Sequence, residues 1–253
     1  MHDRAAKVAY LTRLGDTALV LSHRLSELCG KGPALEEDMA LANTALDLLG
    51  QARLWLAYAG EIEGAGRDED ALAYLRNDRE FRNFLLVEQP NGNYAHTMMR
   101  QFLFDAWHGL ALSRLMRSSD VRIAEIAAKS QKEVTYHLRR SSDLIVRMGD
   151  GTGLSREYTQ EALNMLWPFT GEMFTPDPVD QALAASGESF DPGELRREWL
   201  DYAGKVFGMA TLEMLSPDTW MQKGGKQGVH SEHLGYLLAE MQAVRRAHPG
   251  ATW

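Results

Sequence analysis

The sequence predicts an all-α fold built around a bundle of four long helices. Three observations point there. Turn signals are widely spaced, the stretches between them carry apolar residues three and four apart, and long Val/Ile/Thr alternations are missing. Ala, Leu, Glu, Arg and Met, all good helix formers, recur throughout.

The first helix is expected from about Arg4 to Cys29, stopping at Gly30, Gly32 and Pro33. Leu11, Leu14, Ala18, Leu21, Leu25 and Leu28 form the seam of a helix that packs lengthwise on another. The second runs from about Leu35 to Glu63 and ends at Gly60, Gly64 and Gly66. Met39, Leu41, Leu46, Leu48, Leu49, Leu54, Trp55 and Leu56 make it apolar on most sides, so neighbours are expected to bury it on several sides. Two shorter helical pieces fill Asp68 to Glu88.

Pro90-Asn91-Gly92 is a turn, and a third long helix follows to about Arg117. Ser118-Ser119-Asp120 offers N-cap residues for a fourth, to about Met148. Helices joined by short connections are expected to be antiparallel neighbours. Beyond the break at residues 149–153, one helix starts near Ser155 and is disturbed by Pro168. Asp191, Pro192 and Glu194 read as cap, first helical position and third residue of a helix to Ser216-Pro217. Ser231 starts a last helix with a stripe of Leu234, Leu237, Leu238, Met241 and Val244. With no linker or low-complexity tract, residues 1–253 read as one domain: a bundle over about 4–149 and accessory helices over about 155–247.

A formal charge of −8 removes any general affinity for phosphate backbones, so nucleic acid is not an expected partner. The lone Cys29 cannot close an internal disulfide; it fits a reducing compartment and reads as an inert buried thiol. The N-terminus has no signal-length apolar stretch, and the most continuous apolar run, Leu54 to Ala59, is too short to span a bilayer. A cytoplasmic protein without membrane contact is expected. Trp55, Trp107, Trp167 and Trp199 read as core or interface anchors, and the twelve methionines as core filler.

The informative polar residues are those on apolar faces. Asp105 shares its helix face with Tyr94, Met98, Phe102, Leu112 and Met116, while His96, Arg100 and Arg114 lie on the other side. His137 shares a face with Ile126, Val134, Leu144 and Met148. A buried carboxylate needs a partner, so Asp105 and His137 are expected to interact. Asp47 lies on a strip with Asn43, Thr44 and Gln51.

Carboxylates and histidines inside a four-helix bundle suggest a di-metal site, which takes a Glu from each of two helices and Glu-x-x-His from each of the others. The spacing test largely fails. Gly50 stands three after Asp47, Val134 stands three before His137, and Glu133 is one position off, rotated by about 100°. Asp16 and Glu27 point away from the first helix's seam. Asp105 and His108 have the spacing but are a single pair. Asp47, Asp105, Glu133 and His137 therefore read as the remnant of a metal site, with no metal bound and no catalytic residue. Lys223 and Lys226 flank Gly224-Gly225; they suit phosphate groups or are ordinary loop lysines. His230 and His233 have the spacing of some metal pairs but no third ligand nearby, so cap and interface roles are expected.

ALANTALDLLGQAR (Ala40 to Arg53), LLVEQPNGNYA (Leu85 to Ala95), FDAWH (Phe104 to His108), KEVTYHLR (Lys132 to Arg139) and GGKQGVHSEHLG (Gly224 to Gly235) resemble the PaaC family. These are subunits of the bacterial ring 1,2-phenylacetyl-CoA epoxidase. The resemblance runs from about Arg13 to Trp253 and includes LAEMQ (Leu238 to Gln242) and Trp253 itself. It implies a ferritin-like fold and a homologous catalytic partner, PaaA, whose di-iron centre activates O₂ and epoxidises the ring of phenylacetyl-CoA. It further implies a small PaaB subunit and an iron–sulfur flavin reductase, PaaE, fed by NADPH. This chain is then the non-catalytic structural subunit in aerobic phenylacetate catabolism. It meets phenylacetyl-CoA at most through the complex, with Lys223 and Lys226 as the candidates for the coenzyme A phosphates near the subunit junction, and a homodimer when alone stays open. Two other readings are an independent ferritin-like di-metal oxygenase using Asp47, Asp105, Glu133 and His137, and an acyl-CoA binding module.

Overall fold

A computed structural model describes residues 2–216, 218–249 and 251. The α-helices in chain order are α1 (His2–Ser26), α2 (Leu35–Glu63), α3 (Glu69–Tyr74), α4 (Leu85–Glu88), α5 (Tyr94–Leu115), α6 (Val121–Gly149), α7 (Gly153–Leu166), α8 (Pro178–Ala185), α9 (Leu195–Met209), α10 (Glu232–Met241) and α11 (Ala243–Ala247). Five short 3₁₀ turns join them, and no strand occurs among the described residues. The all-α class expected from the sequence stands. None of the described helices is long and apolar enough to cross a membrane.

The chain forms two compact units. One takes in the residues up to Pro90 together with those from Gly224 onward; the other is Asn91–Lys223. This division differs from the one between bundle and accessory helices: α10 and α11 belong with α1 and α2, and α7 to α9 with α5 and α6.

In the first unit α1 and α2 run antiparallel. Arg4 near the start of α1 donates to the carbonyls of Ile62 and Glu63 at the end of α2, where a cation is welcome. At the other end, Asp38 accepts from the amides of Gly30 and Gly32 at 2.9 and 3.1 Å. Midway, Gly15 lets the helices close in, since a Cβ there would meet Leu56 Cδ2 at 2.6 Å. The expected seam residues Leu11, Leu14, Ala18, Leu21 and Leu25 are buried. Two expectations fail here. Met39, Leu46 and Leu49 are exposed (57, 65 and 39%), because they lie on one strip of α2 while Leu41, Leu48, Trp55 and Leu56 fill the core. Cys29 is exposed, not buried: α1 ends at Ser26, so the thiol sits in the following turn, off the seam.

The last helix of this unit is broken. Gln242 separates α10 from α11, and its Nε2 donates to the carbonyls of Ala73 and Arg76, each at 3.0 Å. Leu234, Leu237 and Leu238 are buried, whereas Val244 beyond the break is exposed.

In the second unit Asn93 caps α5, accepting from His96 N, and Asp120 caps α6, accepting from Arg122 N and Ile123 N. Pro168 ends α7 at Leu166 as expected, and 3₁₀ turns continue the chain. Helix α8 went unforeseen. Asp177 caps it, Pro178 takes the first position and Asp180 completes a capping box. The Asp191-Pro192 signal starts a 3₁₀ turn that leads into α9. Helix α9 stops at Met209, short of the expected end, and Pro217 lies outside the described residues. The stop is local: Thr211 has φ +55°, and the amides of Thr211 and Leu212 bond back to Gly208 and Phe207 carbonyls, a Schellman-type cap. Three indoles pin this unit, with Trp107, Trp167 and Trp199 donating to the carbonyls of Met173, Ser216 and Leu103.

Candidate functional site

Helices α5 and α6 lie antiparallel, with Arg140 near the end of α6 donating to the Tyr94 hydroxyl at the start of α5 at 3.4 Å. From Ala95 to His108, α5 is buried on every side. His96 and Arg100, which the periodicity placed on the face away from Asp105, are therefore buried too. Arg100 is kept by Asn91, whose Oδ1 accepts from Nη2 at 2.7 Å.

Asp105 is fully buried, as its apolar stripe predicts. Gln101, one turn earlier, donates to Oδ1 at 2.7 Å, and Ser141 of α6 donates to Oδ2 at 2.8 Å. Burial pushes the carboxyl up to about 6; the charge of His137, these two hydrogen bonds and Arg140 pull against that rise. The expected Asp105–His137 interaction is thus present as an electrostatic one, while the direct donors are Gln101, one turn away on α5, and Ser141, which helical periodicity does not reveal. His108 is driven down to about 3, first by burial and then by His137, and remains neutral. Its ring lies 4.8 Å from that of Phe104. One electrostatically linked group, Asp105, His108 and His137, therefore occupies the α5–α6 interface.

Glu133 is half-buried one turn before His137 on α6. Asp47 is half-buried on α2, in the other unit. Lys223, the last residue of the second unit, is exposed. Lys226 is not the exposed loop lysine the Gly-rich stretch suggested: it is only 6% exposed, inside the 3₁₀ turn Gly225–Gln227. Gly224 and Gly228, at φ +141° and +76°, fold that turn back on the first unit and draw Lys226 in. The two lysines do not form an equivalent exposed pair.

A di-iron centre fits this interface poorly. Such a site bridges metals through several carboxylates. Here, among the described residues, the interface offers one fully buried carboxylate, Asp105.

The first unit contains a second polar centre that spacing did not reveal. Glu88, the last residue of α4, is fully buried. It pairs with His230 Nδ1 at 2.8 Å and accepts from Ser231 N at 2.7 Å and Asn83 Nδ2 at 2.9 Å. His230 Nε2 meets the Phe81 carbonyl at 3.0 Å. The ring thus bridges the Glu88 carboxyl group and the Phe81 carbonyl. Arg24 adds bonds to the carbonyls of Glu88, at 2.8 Å, and His233, at 3.0 Å. His230 and Ser231 thereby clamp the C-terminal segment within the first unit. Asp16 is fully buried as well, paired with Arg76 and accepting from Arg82 N at 2.8 Å.

The whole chain, residues 1–253, matches the model of the phenylacetic acid catabolic protein family. The chain belongs to this family. It is 51% identical over 245 residues to one of the subunits of the 1,2-phenylacetyl-CoA epoxidase of Escherichia coli (strain K12), covering 97% of this chain and 98% of that protein. Membership of the family agrees with the all-α, ferritin-like class expected from the sequence.

Proposed function

We propose that this chain is a subunit of a 1,2-phenylacetyl-CoA epoxidase and acts there without a catalytic centre of its own. The observation that carries the first part is 51% identity, along nearly its full length, to a subunit of such an epoxidase. A subunit works in an assembly, and we take the partners to be a PaaA-like catalytic chain and a PaaB-like small chain, in the cytoplasm. The second part is supported by Asp105, whose oxygens are engaged by Gln101 and Ser141. The Ser141 bond ties α5 to α6, and one fully buried carboxylate is fewer than a bridged metal pair requires. No cofactor is assigned to this chain; di-iron is assigned to the catalytic partner.

Lys223 is the residue here with the exposure needed to meet the phosphates of an acyl-CoA at a junction between subunits. In the assembled complex, Lys223→Glu is expected to weaken acyl-CoA binding, whereas unchanged affinity removes that role. The function itself is tested by co-expressing the chain with a PaaA-like partner. A stable complex whose epoxidase activity survives Asp105→Asn supports it. Failure to associate at micromolar concentration, or abolition of turnover by Asp105→Asn in a folded complex, overturns it.

A further inference from the structure

A cleft in the first unit has the chemistry of a small-molecule site that the subunit reading does not use. It lies between the first turns of α1, the end of α2, α3 and the segment to Arg82, and its volume is about 560 Å³. Its floor is apolar, formed by Val8, Ala9 and the fully buried Leu72. Arg4, Arg67, Arg76 and Arg82 line it, with Glu63 and Glu80.

The charges do not cancel. Arg67 pairs with Glu63 and holds its carboxyl below the usual range, chiefly by direct hydrogen bonding. Arg76 pairs with the buried Asp16. That leaves Arg4 and Arg82 against one carboxylate, Glu80, which already accepts from Asn77 N at 2.8 Å. Both arginines are held by carbonyls: Arg4 by Ile62 and Glu63, and Arg82 by Arg79 and Phe81 at 2.6 and 2.7 Å. Of Arg82's five N–H donors, only those on Nη1 are spent this way. The described lining residues therefore carry net positive charge on a chain whose formal charge is −8. Guanidinium groups fixed beside an apolar hollow of this size select an anionic head on an apolar body.

We propose that this cleft binds a small anionic amphiphile, a carboxylate- or phosphate-headed molecule whose apolar part lies on Val8, Ala9 and Leu72 while its head meets Arg4 and Arg82. The site is independent of Lys223 and of the subunit role.

Isothermal titration of the full chain with octanoate, octyl phosphate and octanol tests it. The two anions are expected to bind about tenfold or more tightly than octanol, and their ratio identifies the preferred head. Replacing both arginines, Arg4→Met with Arg82→Met, keeps the apolar stems and is expected to cost the anions about tenfold while leaving octanol unchanged. A readout that needs no variant is phenylglyoxal labelling followed by peptide mass spectrometry. Octanoate should protect Arg4 and Arg82 but not the exposed Arg197 of α9. Equal binding of octanol and octanoate, full affinity in the double variant, or equal protection at Arg197 overturns the proposal.

Discussion

The fully buried carboxylates Asp16 and Glu88 of the first unit and Asp105 of the second are handled in contrasting ways. In the first, Asp16 and Glu88 each pair with a basic side chain: the guanidinium of Arg76 and the imidazole of His230. Each also accepts a backbone N–H, from Arg82 and Ser231. In the second, Asp105 receives its hydrogen bonds from neutral Gln101 and Ser141, and positive charge reaches it only through the fields of His137 and Arg140. Charge alone therefore does not mark a functional carboxylate. The first pair are crosslinks that tie segments 60 and 142 residues apart. Asp105 is a poorly compensated acid within reach of physiological proton exchange.

The largest test of this contrast is Asp16→Ala. It strands Arg76 in a site where both partners are at most 5% exposed, and is expected to cost about 3–5 kcal/mol in denaturant unfolding. A loss below about 1 kcal/mol would remove the crosslink role. Next comes Glu88→Ala, expected to cost about 2–4 kcal/mol because His230, Ser231 N and Asn83 lose their acceptor together. Its signature is local: amide exchange should quicken from Gly224 through α11 more than in α5 and α6.

Asp105 should behave differently. Its carboxyl is ordinarily near 3.8 and is raised to about 6, so the folded state binds the proton more tightly. This contribution adds stability as pH falls from above 6 to below 4, by about 3 kcal/mol in all. His108 opposes it: lowered from 6.5 to about 3, it loses stability as pH falls through that window. The two partly cancel between pH 4 and 6. Asp105→Asn, neutral at every pH, should exceed the parent's stability at pH 8, by up to about 3 kcal/mol, and lose stability with acid more steeply, by up to about 1.4 kcal/mol per pH unit. His108→Gln should flatten the acid loss. Parallel pH profiles for all three proteins would refute the linkage. The smallest effect expected is that of Ser141→Ala, about 1 kcal/mol, with Asp105 titrating higher still by NMR.

What the sequence made legible follows from what is local. Helix α2 is bounded by an acidic first turn and by Gly64 in the left-handed region, and its predicted ends agree with the structure. Asp105 could be placed in the core because Met98, Phe102 and Leu112 recur around it at helical spacing. Its donors divide instructively. Gln101 is one turn away and was readable in principle, whereas Ser141 depends on the register of α5 against α6. The Glu88–His230 pair joins residues 142 apart and had no spacing signal at all. Helix α8 carried the same Asp-Pro start as the 3₁₀ turn before α9, but its eight residues hold too short a stripe for periodicity to speak. The early end of α9 rests on a threonine in the left-handed region, a conformation that composition does not announce.

The most direct test is a metal count on each chain of the purified, active complex after its chains are separated. A non-catalytic partner predicts iron on the PaaA-like chain and none in stoichiometric amount on this one. A matched pair of irons retained by this chain, lost together with activity when Asp105 is replaced, would contradict the account.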